Sequence, residues 1–213
     1  MSEVKLYLGD CLEILPTLSN ADVLLTDPPY GVNFKCGSPN GRIQKSAIVR
    51  NPERIEGDDK PFDPEPFLHY PRVILFGANN YADKLPPSRG WIFWDKRPGM
   101  KMNDFGDGEL IWTNKDTTIK RFVYMWNGVL QDGEKGKPRY HPTQKPIALM
   151  KWIIENYTQP GDLILDPYMG SGPIGIAAVQ TGHPYFGIEI LPKYFDIAKK
   201  RIAEAQMQMV MPL

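Results

Sequence analysis

The stretch Leu163-Ile-Leu-Asp-Pro-Tyr-Met-Gly-Ser-Gly-Pro-Ile-Gly175 constrains this chain more than any other. It reads as a short apolar strand, a turn and the start of a helix, with Gly170, Gly172 and Gly175 in G-x-G-x-x-G spacing. Glycines in such a turn let the backbone approach a ligand closely. In open α/β sheets the ligand lies beyond the carboxyl ends of the strands, where Asp166 is expected. A second apolar run ends at Glu189, 17 residues after Gly172, a suitable place for a carboxylate that accepts bonds from ribose hydroxyls. The expected ligand contains an adenosine.

The unit begins at residue 163 of 213, which leaves room for one more strand after it. The rest of the sheet must come from the N-terminal part, so the order looks like a circularly permuted nucleotide-binding sheet. Short apolar runs bounded by turn residues mark seven strands, at 5–8, 22–25, 72–76, 91–94, 122–126, 163–165 and 185–188. Helical patterns are expected at 11–18, 64–70, 146–157, 173–181 and 192–208. Alternating strands and helices predict a mostly parallel α/β sheet with helices on both faces, a single domain over 1–213. Residues 31–60 show no period and read as one long loop, the kind that is usually functional.

Asp166 also bears on which adenosine compound is bound. A carboxylate there attracts a cationic amino group, which the methionine end of S-adenosylmethionine carries, and repels a pyrophosphate. Charge therefore favours S-adenosylmethionine over a nicotinamide dinucleotide. A second motif lies upstream, in Asp22-Val-Leu-Leu-Thr-Asp-Pro-Pro-Tyr30. Proline fixes φ, removes an N–H and holds the preceding residue extended, so this strand end is stiff and rich in acceptors. The Asp27 carboxylate and the Pro28 carbonyl can take both hydrogens of an exocyclic amine. Acceptors held off the ring plane favour a pyramidal nitrogen with a usable lone pair. Tyr30 offers a stacking face for a base rotated out of its duplex.

Composition narrows the class. Lys plus Arg and Asp plus Glu both number 25, so a globally basic coat protein is excluded. Charge is nevertheless uneven. Residues 31–55 carry Lys35, Arg42, Lys45, Arg50 and Arg54 against Glu53, and residues 114–145 carry seven Lys or Arg against three acidic residues. One cationic face is expected. Two cysteines cannot build a disulfide scaffold or a multi-cysteine zinc site, and three dispersed histidines argue for no metal. No apolar run reaches the ~20 residues of a membrane span, and the N-terminus does not read as a signal peptide. A soluble, cytoplasmic protein of a reducing compartment is expected.

Leu8-Gly-Asp-Cys11, Thr26-Asp-Pro-Pro-Tyr30, His141-Pro-Thr-Gln-Lys-Pro146, Asp166-Pro-Tyr-Met-Gly-Ser-Gly172 and Gly187-Ile-Glu189 together resemble the amino-group DNA methyltransferases, adenine-N6 and cytosine-N4. The order matches the permuted group, in which the catalytic motif precedes the cofactor motif. The resemblance implies that Asp27, Pro28, Pro29 and Tyr30 form the catalytic segment. It implies that Asp166, Pro167, Tyr168, Gly170, Ser171 and Gly172 lie along the methionine and sugar of S-adenosylmethionine, with Glu189 on the ribose. Asp10 and Cys11 would meet the adenine, and Thr143 and Lys145 the methionine carboxylate. Asp before Pro-Pro-Tyr leans toward adenine. Two departures stand out: Tyr168 replaces a commoner Phe, and Pro173-Ile replaces the usual Thr-Thr. The expectation is a site-specific, restriction-modification type adenine-N6 methyltransferase of double-stranded DNA that flips its target base, with cytosine-N4 methylation as the alternative and an NAD-binding oxidoreductase as a more distant one. Residues 31–60 are expected to be a mobile DNA-contacting loop through Lys35, Arg42, Lys45 and Arg50, and a homodimer is possible for this family.

Overall fold

A computed structural model describes residues 2–33, 55–101, 106–127, 130–133, 140–141 and 143–210. The chain runs through β1 (Val4–Leu8), the one-turn helix α1 (Cys11–Ile14), β2 (Val23–Thr26), β3 (Arg72–Phe76), β4 (Gly90–Asp95), β5 (Gly108–Thr113) and β6 (Lys120–Val123). A small hairpin follows, β7 (Trp126–Asn127) with β8 (Leu130–Gln131). Then come α2 (Ile147–Tyr157), β9 (Ile164–Asp166), α3 (Pro173–Gln180), β10 (Tyr185–Glu189) and α4 (Pro192–Val210).

The main sheet has the order β1-β10-β9-β2-β3-β5-β4-β6. From β1 to β3 all neighbours are parallel, and β5 alone runs against its neighbours β3 and β4. The sheet thus has eight strands, not the expected seven. The addition is β5, whose apolar stretch is only Leu110-Ile-Trp112 between glycines and polar residues. Being antiparallel, β5 begins where the parallel strands end, which brings Glu109 to their carboxyl edge. The run at 122–126 divides between β6 and β7. β6 is an edge strand with Lys120 and Arg121 exposed, a composition that discourages pairing with another chain.

Central strands are buried on both faces, which is why they read as continuous apolar runs. One core joins Val23, Leu25, Ile74 and Ile92 to Leu149 and Ile153 of α2, Ala177 of α3 and Ala198 and Ile202 of α4. The opposite core joins Leu24, Val73 and Leu75 to Cys11, Phe62, Phe67 and Tyr81. That second face is covered by α1 and aromatic turns rather than long helices. The helix expected at 64–70 is a 3-10 turn, Glu65–Phe67. Pro64, Pro66 and Pro71 leave too few backbone donors for more.

The order in which successive strands are added reverses at the middle of the sheet. β9 leads through α3 to β10 on one side, and β2 leads to β3 on the other. The crevice between the carboxyl ends of β9 and β2 is the topological switch point, where open α/β sheets bind ligands. Asp166 ends β9, and Asp27 directly follows the last residue of β2.

Candidate active site

Thr26, the last residue of β2, donates its hydroxyl to Asp166 Oδ1 at 2.7 Å and so ties the two strand ends together. Tyr185 of β10 donates to the other oxygen at 3.0 Å, and the Tyr168 amide reaches Oδ1 at 3.3 Å. Asp166 is wholly buried, and among the described residues no lysine or arginine forms an ion pair with it. Burial pushes its carboxyl up to about 7, against the pull of the Thr26 and Tyr185 hydroxyls.

Past Thr26 the prolines take the chain out of the sheet. Tyr30 folds back so that its hydroxyl donates to Asp27 Oδ1 at 2.5 Å. Its ring lies against Gly77, just after β3, where φ is +62° and a Cβ would stand 2.2 Å from the ring. Glycine is required there for space and for backbone conformation alike.

Lys145, 4% exposed, donates to Asp27 Oδ2 at 2.6 Å and to the Tyr30 hydroxyl at 3.1 Å. It also pairs with Glu109 Oε2 at 3.4 Å, while the other oxygen of Glu109 pairs with Lys96. Burial alone would lower the Lys145 ammonium; Asp27 and Glu109 outweigh it and hold the value above the ordinary lysine range. Burial likewise raises Asp27, with Glu109 adding to it and Lys145 opposing. Glu109 ends below its ordinary value because two ammonium groups overcome its burial. The turn carrying Lys145 is anchored: the Trp126 indole donates to the Gln144 carbonyl at 3.1 Å, and Gln144 Oε1 accepts from the Tyr140 amide at 3.0 Å.

A single cavity of about 720 Å³ is lined by both motifs. Its size suits a cofactor-class ligand. Asp27, Pro28, Pro29 and Tyr30 all line it. So do Asp10, Cys11, Thr143 and Lys145, and from the glycine-rich unit Asp166, Pro167, Tyr168, Gly170, Ser171 and Glu189. Gly172, expected among them, does not. It caps α3 with φ +79°, and a Cβ there would meet Ala198 and Ile202 of α4 at 3.1 and 3.2 Å, so it serves helix packing. Asp10 caps α1 through the Leu12 amide at 2.8 Å. Glu189 accepts from the amides of Gly170 and Leu191 at 2.9 and 2.8 Å, which fixes the glycine turn to the end of β10. Arg201 of α4 donates to the Ser171 carbonyl at 2.6 Å and fixes the other side of that turn.

Lys35, Arg42, Lys45 and Arg50 lie outside the described residues. The ends of their segment are described, and they meet. Asp58 Oδ1 accepts from the Gly31 and Val32 amides at 2.9 and 3.3 Å, and Asn33 donates to the Asp58 carbonyl at 2.8 Å. Residues 55–58 and 60–63 then line the cavity. Sequence reasoning missed Glu109, Lys96 and Gly77. Lys96 could have been found in the charged pair Asp95-Lys96 that follows the apolar run 91–94; Glu109 carries no such signal, because β5 itself was unmarked.

A family model described as DNA methylase matches residues 91–200. The type II methyltransferase M2.MboI of Moraxella bovis is 48% identical over 247 aligned positions, covering 94% of this chain and 88% of that protein. Among solved structures, the M1.HpyAVI–SAM complex is similar with a TM-score of 0.59 at 23% identity, covering 94% of this chain and 99% of that one. The cytosine-N4-specific PvuII DNA methyltransferase gives a TM-score of 0.59 at 13% identity, covering 99% and 93%. Both structural likenesses concern the fold.

Proposed function

Because the chain belongs to the amino-group DNA methyltransferase family, we propose that it transfers a methyl group from S-adenosylmethionine to N6 of adenine in double-stranded DNA. One observation carries this reading: Asp27 and Asp166 stand at the ends of neighbouring strands, are joined through the Thr26 hydroxyl, and line one cavity. The residues fit the cofactor. A wholly buried carboxylate without a cationic partner among the described residues calls for one, and the amino group of the methionine end is a cation of the right kind. When bound, S-adenosylmethionine supplies an electrophilic methyl on a sulfonium.

The residues divide the work as follows. Asp166 holds the amino group, with Gly170 and Ser171 alongside the methionine and sugar. Glu189 reaches the ribose hydroxyls, Asp10 and Cys11 the adenine, and Thr143 the carboxylate, while Lys145, expected beside that carboxylate, is engaged with Asp27 and Glu109 instead. Asp27 and the Pro28 carbonyl accept the two hydrogens of the target amine, and Tyr30 stacks on the flipped base. Catalysis comes from positioning and preorganised acceptors rather than from a strong base. Asp, not Ser, before Pro-Pro-Tyr supports adenine over cytosine. Lys35, Arg42, Lys45 and Arg50 are read as phosphate contacts.

The test is mass spectrometry of nucleosides from unmethylated double-stranded DNA incubated with the full chain and S-adenosylmethionine. N6-methyladenine is expected, falling by about 10²–10³-fold with Asp27→Ala. N4-methylcytosine as the product overturns the choice of adenine; methyl label only in RNA or protein overturns DNA as the substrate.

A further inference from the structure

The Lys145 ammonium sits where the proposed function needs an amine. Its nitrogen is 2.6 Å from Asp27 Oδ2, one of the two acceptors assigned to the target amine, and 3.1 Å from the Tyr30 hydroxyl. It is tetrahedral and positive, the shape and charge that a target amine acquires as it attacks a methyl group. The base amine and Lys145 therefore compete for one carboxylate. Glu109 offers the ammonium a second seat. Its Oε2 is 3.4 Å from Lys145, and its Oε1 already holds Lys96, so the carboxylate is fixed in place. A buried ammonium that leaves one carboxylate needs another within reach, since an unpaired buried charge is costly.

We propose that Lys145 stands in for the methyl acceptor, holding Asp27 until the target amine replaces it, and that Glu109 is the positioning residue to which the ammonium then moves. The inference rests on the reading of Asp27 as the amine acceptor. It makes entry of the base an exchange of one nitrogen for another, with the charge of the pocket kept balanced throughout.

Glu109→Gln and the double variant Lys145→Met/Glu109→Gln separate this role from a structural one. Methyl transfer to unmethylated phage DNA is measured with DNA titrated and S-adenosylmethionine saturating, as set for each variant by calorimetric titration. Glu109→Gln leaves the ammonium with Asp27 alone, so KM for DNA rises by about tenfold or more. The double variant removes the competitor, and KM returns to within about threefold of the unmodified chain. An unchanged KM in Glu109→Gln, or a double variant as impaired as the single one, overturns the proposal. On the unmodified chain, labelled with ¹⁵N at lysine and assigned with Lys145→Arg, the Lys145 ammonium resonance must move when DNA and S-adenosylhomocysteine are added together. A resonance that stays in place overturns the proposal without any variant having to fold. An unmodified chain that binds S-adenosylmethionine but methylates no DNA overturns the function, and this inference with it; an active chain with the wrong variant pattern overturns the inference alone.

Discussion

Asp166 shows how one residue can couple acidity, stability and binding. Its carboxyl is raised by burial to about 7, far above the ordinary aspartate value of 3.8. Between those values the folded chain holds a proton that the unfolded chain has lost, so stability declines as pH rises and the cost is complete above about pH 7. Asp166→Asn removes the ionisation. It should stabilise the ligand-free protein at pH 8 by on the order of 2 kcal/mol and have little effect near pH 4, read from denaturant midpoints at both values. A cationic ligand favours the ionised carboxylate, so the dissociation constant for S-adenosylmethionine should rise about tenfold per pH unit below 7 in the unmodified chain. Calorimetric titration should find that slope absent in Asp166→Asn. Had the slope persisted in that variant, another group would be the one titrating. Asp166, Asp27 and Tyr30 were legible in the sequence because each stands in a motif whose chemistry needs that residue type. Glu109 was not, since a lone glutamate between Gly108 and Leu110 has no local signature, and only the antiparallel pairing of β5 with β4 carries it to the site.

At the scale of elements, what decided legibility was how completely a segment is buried. β2, β3, β9 and β10 lie inside the sheet, and their continuous apolar runs announced them. β5 and β6 mix polar and apolar residues because β6 is an edge and β5 begins at the cavity, so β5 went unmarked and the bounds of β6 were misplaced. The expected helix at 64–70 failed for a different reason: its prolines forbid the donors that its apolar spacing seemed to call for. The join between β3 and the turn after it sets the Tyr30 ring. Gly77→Ala would place a Cβ 2.2 Å from that ring and strain a backbone at φ +62°. The ring must shift and its hydroxyl must leave Asp27. A loss of kcat of about 10²-fold is expected, with the S-adenosylmethionine dissociation constant unchanged within about twofold. Steady-state kinetics beside calorimetry checks this; equal losses in both would mean that the whole crevice had collapsed.

Over the whole molecule, residues 140 positions apart meet because β9 and β2 are parallel neighbours at the middle of the sheet. The motifs could be read separately from the sequence, but spacing along the chain did not place Thr26 against Asp166; the strand order did. On the proposed function, two ends of one cavity serve two ligands, and they should be separable. S-adenosylmethionine at about 100 times its dissociation constant should stabilise the chain by about 2.7 kcal/mol in thermal unfolding. The same shift is expected in Asp27→Ala, which has lost transfer, and no shift with NAD. A shift with NAD instead would return the chain to dinucleotide chemistry. The Asp58 clasp bears on how such a protein can diversify. Because one carboxylate pins residues 31 and 32 beside residue 58, whatever lies between is an insert with its two feet nailed down. Lengthening an insert adds only a slowly growing closure entropy. If that segment contacts DNA as proposed, a graft between residues 33 and 55 is expected to change which substrate is bound while the clasp at residues 31, 32 and 58 stays as it was.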